Sequence, residues 1–318
     1  MLFLLRFDLR NPAFSGVDLA DRYEAALQMT EWGERNGALA VSLSEHHGSE
    51  DGYLPSPLVM AAAMAARTSS VAIAINAMPI PFHDPLRLAE DIAVVDRIAN
   101  GRLHVTFAGG YAEHEFDMFG VELSERPARV REAVAALRQA WTGEPFEFRG
   151  RTVQVLPTPA QSGGPSIILG GSSEPAARRA ARIADGFVPS DPECWQHYRD
   201  ECLKLGKPDP GPGSGANAAV TILAEDPEVA WPKLAPYFIH ESNAYGAWNP
   251  MAGDDKYRPV ETLEEVRAGG QYQVLTPDQY RDELERTGAM FAVLHPMVGG
   301  IPPELAWEHL RLFEEAFL

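Results

Sequence analysis

The residues best suited to chemistry stand together at Glu45, His46 and His47, inside the stretch AVSLSEHHGSE from Ala40 to Glu50. An imidazole titrates near neutrality and a neighbouring carboxylate can orient it, so this group suits proton transfer. Side chains alternate across a strand, which puts Val41 and Leu43 on one face and Ser42, Ser44 and His46 on the other. A parallel strand is ordinarily apolar on both faces. Three polar residues on one face need partners or a ligand, and this strand end is expected to help form an enzyme pocket. A satisfied polar network around Ser44 and His46 is the alternative. His47, on the opposite face by alternation, is read as structural.

A second group is GGSS, Gly170 to Ser173, between an apolar run and a helix opening near Pro175. Backbone N–H groups, two hydroxyls and a helix N-terminus suit a phosphate. A plain helix cap by Ser172 or Ser173 is the alternative.

The elements that must position these groups alternate in kind. Strands are expected at Leu2 to Asp8, Leu39 to Ser44, Val71 to Asn76, Arg102 to Ala108, Ser166 to Leu169, Gly186 to Val188, Asn217 to Ala224 and Ala289 to Leu294. Between them, Asp18 and Asp84 cap helices reaching Arg35 and Arg97, and Ser56 caps another from Pro57 to Thr68. Further helices span Pro127 to Trp141 and Pro175 to Ala184, open at Asp191 and Asp226, and run from Pro303 to Phe317. Thr276 and Gln279 form a capping box for a helix to Arg286. A proline-rich excursion covers Gly143 to Pro165. Glu241 to Leu275, with Tyr245, Trp248 and Tyr257, reads as an irregular insertion and lid candidate.

Alternation with roughly eight strands predicts an α/β chain, a (β/α)8 TIM barrel with the insertion before its last strand, as one domain over residues 1–318. A doubly wound open sheet is the alternative. With 45% hydrophobic and 23% charged residues the chain can bury a large core, which excludes disorder. A net charge of -18 argues against nucleic-acid and anionic-membrane partners. Cys194 and Cys202, eight apart on one helix, would sit about 12 Å from each other, beyond disulfide reach. With no signal peptide or membrane span in view, the expected location is the cytoplasm. His46, His47, His83, His104 and His114 have no recognised metal-ligand spacing, so a metal-dependent hydrolase is the weaker reading and no metal is expected.

Glu45-His46-His47, the PSPL and HDPLRLAED segments, Gly101-Arg102, AGGYAEHEFDMFG from Ala108 to Gly120, and GGSS occur in an order that resembles the bacterial luciferase-like flavin monooxygenases. The resemblance implies an oxidoreductase in which reduced FMN, delivered by a separate flavin reductase, and O2 oxidise a small organic substrate. His46 matches the family's catalytic histidine. Asn76 and Ala77 match a position often held in a cis peptide beside the flavin ring. Gly109, Gly110 and Glu115 match further cofactor positions, a surface helix acid being the equal alternative for Glu115. Gly170, Gly171, Ser172 and Ser173 match the phosphate loop, and a homodimer is common in the family.

There are departures. Gly109 stands where many FMN-using relatives place a phosphate-binding arginine, and Ala108 where the luciferases carry a cysteine. A small residue at 109 is frequent in relatives using the deazaflavin cofactor, so a deazaflavin-dependent hydride-transfer enzyme is the alternative. A non-catalytic flavin-binding protein is a third reading.

Overall fold

The computed structural model describes residues 1–213, 219–248 and 259–318. In chain order it places β1 (Phe3–Phe7), α1 (Leu19–Arg35), β2 (Ala40–Leu43), α2 (Pro57–Arg67), β3 (Ala72–Pro79), α3 (Pro85–Ile98), β4 (Leu103–Ala108), α4 (Glu113–Phe119) and α5 (Arg126–Ala140). A hairpin, β5 (Phe146–Phe148) and β6 (Arg151–Val153), precedes β7 (Ile167–Gly171), α6 (Glu174–Ile183), β8 (Gly186–Pro189) and α7 (Cys194–Lys204). The chain continues with β9 (Val220–Leu223), α8 (Pro227–Trp248), α9 (Leu263–Ala268), β10 (Tyr272–Leu275), α10 (Pro277–Thr287), β11 (Ala292–Leu294) and α11 (Pro303–Phe317).

Local chemistry explains the boundaries. Asp18 Oδ1 accepts from the Ala20 N–H at 2.8 Å, and Asp84 Oδ1 from the Leu86 and Arg87 N–H groups, satisfying donors that a helix start leaves free. Thr276 and Gln279 form both halves of the expected capping box. Ser56 holds the N-cap position of α2, but its hydroxyl makes no capping bond and Pro57 opens the helix.

The chain divides into two compact units. Unit 1 comprises Met1–Pro55, Ser70–Ala72 and Ala218–Leu318. Its parallel ladder β11-β1-β2 sets Phe3 beside Ala292, Leu5 beside Leu294 and Val41, and Phe7 beside Leu43. A second parallel pair, β9 and β10, aligns Val220 to Leu223 with Tyr272 to Leu275. Phe3, Leu5, Phe7, Val41 and Leu43 are fully buried, as their alternation requires.

Unit 2 comprises Ser56–Ser69 and Ile73–Asn217. Its parallel ladder β3-β4-β7-β8 buries Ile73, Ile75, Leu103, Val105, Phe107, Ile167 and Leu169. Both cysteines are free and buried on α7.

The parallel α/β architecture is as expected. Within neither unit do the ladders of described residues close into a ring. Two expectations are corrected. The excursion from Gly143 to Pro165 contains the β5-β6 hairpin. Among its described residues the supposed irregular insertion is mostly regular: Glu241 to Trp248 complete α8, and α9 and β10 follow, so that β10 is a strand missed in the sequence. Tyr257 lies outside the described residues. Among those described, no helix is long and apolar enough to cross a membrane.

Candidate functional site

In unit 1, β2 ends at Leu43, so Glu45, His46 and His47 occupy the loop beyond it rather than the strand. His47 Nε2 lies 2.9 Å from Glu45 Oε1, and both residues are buried, which fits the structural role expected of His47. His46 is half-buried and its N–H donates to Leu54 O at 3.3 Å. Its ring stands edge-on to Tyr53 and Tyr245, with centroids 4.9 and 6.0 Å away, and tilts against Trp248 at 4.5 Å. Three aromatic rings thus hold the imidazole by shape while excluding water from much of its surface.

Arg10 lies beneath the same rings. Its guanidinium carbon is 4.7, 4.8 and 4.6 Å from the centroids of Tyr53, Tyr245 and Trp248, and its Nη1 donates to Asp51 Oδ2 at 2.5 Å. Asp51 also accepts from Ser49 Oγ at 2.5 Å and the Tyr53 N–H at 3.1 Å, and His240 Nε2 lies 2.7 Å away. Burial alone would raise the Asp51 carboxyl, yet the hydrogen bond to His240 and the charge of Arg10 hold it well below the usual carboxylate range. Burial pushes the Tyr53 phenol up to about 12, and its oxygen lies 3.1 Å from that of Tyr245. Sequence reasoning missed Arg10, Asp51 and Tyr53 in this cage. It grouped Tyr245 and Trp248 as lid residues, whereas they sit in the last turns of α8 against His46.

A second buried polar cluster lies deeper in unit 1. Asp8 Oδ1 accepts from the Arg10 N–H and Oδ2 from the Gly299 N–H, both at 3.1 Å. Glu241 accepts from the Tyr272 hydroxyl at 2.7 Å. Burial raises both carboxyls. Burial also lowers His295 far below its ordinary value, and its Nε2 stands 3.6 Å from Asp8 Oδ2. Among the described residues no group of three or more His, Cys, Asp or Glu could hold a metal ion.

In unit 2, the peptide bond between Asn76 and Ala77 is cis, at the position where the resemblance implied it, and the β3-β4 register shifts there. Gly110, beyond β4, has φ +73°, and its carbonyl accepts from Arg126 Nη1 at 2.8 Å. A Cβ on Gly109 would meet nothing nearer than Arg126 Cδ at 4.0 Å. The first residue of α5 thus brings a guanidinium beside the position that lacks one. Glu115 is 1% exposed, which overturns the reading of it as a surface helix acid.

Gly170 and Gly171 close β7 against Val188 and Pro189 of β8. A Cβ at Gly171 would lie 2.7 Å from Ala176 Cβ, so only glycine lets α6 approach this closely. Ser173 occupies the N-cap of α6 but its side chain makes no capping bond, which removes the support for a plain cap by that residue. Both Ser172 and Ser173 are exposed. This donor set and the close backbone approach suit a phosphoryl group. His46 thus belongs to unit 1, while Asn76, Ala77, Gly109, Gly110, Glu115 and Gly170 to Ser173 belong to unit 2.

Among solved structures, the monooxygenase RslO1 of Streptomyces bottropensis matches with a TM-score of 0.76 and 26% identity, covering 99% of this chain and 98% of that one. The FMNH2-dependent dimethylsulfone monooxygenase of Pseudomonas fluorescens is 30% identical over 195 residues, 55% of this chain and 52% of that protein. The F420-dependent glucose-6-phosphate dehydrogenase of Amycolatopsis mediterranei is 28% identical over 255 residues, 73% and 72% of the two chains. The chain spans 36%, 42% and 52% of the length of the first three curated relatives it matches. A family model described as luciferase-like monooxygenase matches residues 3–315. The chain is an enzyme that belongs to the luciferase-like monooxygenase family.

Proposed function

We propose that this enzyme is a monooxygenase that uses reduced FMN and O2 to oxidise a small organic substrate. The observation that carries the reading is the match to a monooxygenase over 99% of the chain. FMN, when bound, supplies the reducing electrons and the ring at which oxygen is activated. Gly170, Gly171, Ser172 and Ser173 would hold its phosphate, and Asn76, Ala77, Gly109, Gly110 and Glu115 its remaining parts. His46 would move the proton, kept in one orientation by Tyr53, Tyr245 and Trp248. The proposal includes the (β/α)8 barrel of the family, a cytoplasmic homodimer and a separate flavin reductase as partner.

A second reading is favoured by Gly109 and by the F420-dependent relative: a deazaflavin-dependent hydride-transfer enzyme. Titrating the purified protein with oxidised FMN, reduced FMN and the deazaflavin, followed by oxygen uptake with reduced FMN, tests the two. Tight binding of the deazaflavin alone, without oxygen uptake, overturns the monooxygenase reading.

A further inference from the structure

The ring distances of the cage in unit 1 fix where Arg10 stands relative to His46. The centroids of Tyr53, Tyr245 and Trp248 form a triangle with sides of 6.4, 6.0 and 5.4 Å. The Arg10 guanidinium carbon lies 4.7, 4.8 and 4.6 Å from these centroids, and the His46 ring centre 4.9, 6.0 and 4.5 Å. On the same side of the triangle the two groups would overlap. They therefore occupy opposite sides, about 7 Å apart, within the range at which unit charges interact. The Arg10 side chain is 0% exposed, and its Nε and Nη2 make no hydrogen bond among the described residues, so its charge rests on the ring faces and on Asp51. Burial disfavours the cation, but Tyr245, Asp51 and Asp8 hold it above the ordinary arginine range. Arg10 is thus a permanent positive charge in a water-poor site behind the cage. Burying an ion pair is often no more stabilising than an apolar replacement, so packing alone does not call for an arginine here.

We propose that Arg10 is a positioning residue for His46 that acts by charge, disfavouring the imidazolium across the rings and so weighting His46 toward its neutral, proton-accepting form. The inference rests on the reading of His46 as the proton-transfer residue. Asp51, paired with Arg10, opposes the effect as a carboxylate and moderates it. The other ionisable groups packed here are Arg6 and Asp8 from the first strand and its end, and the Glu45–His47 pair from the loop after β2. Helix α8 adds His240 and Glu241, and the segment after β11 adds His295. Burial raises the carboxyls of Asp8 and Glu241 and lowers His295, which favours the neutral form of each.

The test follows the His46 imidazole by NMR in histidine-labelled, ligand-free protein, its signal identified by its loss in His46→Ala. At about 7 Å and an effective dielectric between about 20 and 80, Arg10→Met raises the midpoint of the His46 titration by about half a unit to one and a half units. Arg10→Gln, which keeps a donor for Asp51, gives a rise of the same sign and carries the test where Arg10→Met does not fold. Arg10→Lys keeps the charge and moves the midpoint by less than half as much. Asp51→Asn removes the opposing carboxylate and lowers it. The acid limb of the pH profile of turnover shifts with the midpoint in each variant. A midpoint in Arg10→Met or Arg10→Gln that stays within about 0.2 unit of wild type, or falls below it, overturns the proposal, as does an equal rise in Arg10→Lys. If the midpoints move as stated while His46→Ala keeps wild-type turnover, the coupling stands and the proton-transfer reading of His46 fails. If His46→Ala abolishes turnover but the midpoint does not respond to Arg10, that reading stands and the role of Arg10 fails.

Discussion

Removing the charge of Arg10 tests whether the aromatic cage around His46 is held from below. In Arg10→Met the ion pair with Asp51 disappears from a site where the two side chains are 0% and 3% exposed. Breaking a buried pair costs about 3–5 kcal/mol, chiefly through the charge left behind. Asp51 keeps Ser49, the Tyr53 N–H and His240 as partners, so the low end applies. Three cation–π contacts are also lost, but a methionine keeps sulfur contacts with the same rings. The expected loss is about 3 kcal/mol. Asp51→Asn removes the other partner. It leaves a guanidinium whose Nε and Nη2 already lack hydrogen bonds among the described residues and whose nearest other carboxylate, Asp8, is 3.9 Å away. Its cost lies nearer 5 kcal/mol, and a double mutant is expected to recover about 2–3 kcal/mol as coupling. Urea denaturation at neutral pH, followed by circular dichroism and by tryptophan emission, measures all four corners of the cycle. A coupling energy below about 0.5 kcal/mol refutes the pairing as a source of stability. Asp51 also fixes the sign of the acid response. Its carboxyl is depressed in the folded state, so its contribution is full above the ordinary value near 3.8 and is lost as pH falls below it. Arg10→Met shrinks that depression, so the acid-dependent loss is smaller than in wild type.

His46→Ala is expected to lower turnover by about a hundredfold to ten-thousandfold while leaving FMN affinity near wild type; unchanged turnover removes His46 from proton transfer. Gly171→Ala forces a Cβ to within 2.7 Å of Ala176 Cβ and is expected to cost about 1–3 kcal/mol, read by thermal melting, together with weaker FMN binding. His309 is fully buried, its Nδ1 accepts from the Leu223 N–H, and burial lowers its pKa to about 3. The lowered value means that its stabilisation is present above pH 6.5 and lost as pH falls from there toward 3. His309→Asn, with an amide oxygen in place of Nδ1, should therefore gain on wild type by about 2.5 kcal/mol between pH 6 and pH 4 in urea titrations, and a constant difference overturns the assignment.

Elements whose determinants are local were legible in the chain. The Asp18, Asp84 and Thr276 caps, and α11 from Pro303 to Phe317, follow from hydrogen bonds and spacing within a few residues. Strand β10 was hidden because its four residues follow Gly269 and Gly270, which read as a loop, and its pairing partner β9 lies some fifty residues earlier. Helix α8 runs to Trp248 through Pro232 and Pro236, where local rules favour an earlier stop, because its inner face buries Trp231, Leu234, Tyr237, Phe238 and Tyr245.

The same contrast governs the site. The residue types of Glu45, His46 and GGSS announce chemistry, but the partners that set each group's behaviour come from distant segments. Arg10 meets Asp51 and Tyr53 some forty residues along the chain and Tyr245 and Trp248 more than two hundred residues away, and no spacing rule links them. Glu115 sits on a short helix that reads as solvated, yet it is buried. Gly109 shows how composition can mislead in the opposite direction. Its missing side chain looks like the loss of a cation, whereas Arg126 already stands beside it, bonded to the Gly110 carbonyl. What a position lacks is therefore informative only once its neighbours in space are known.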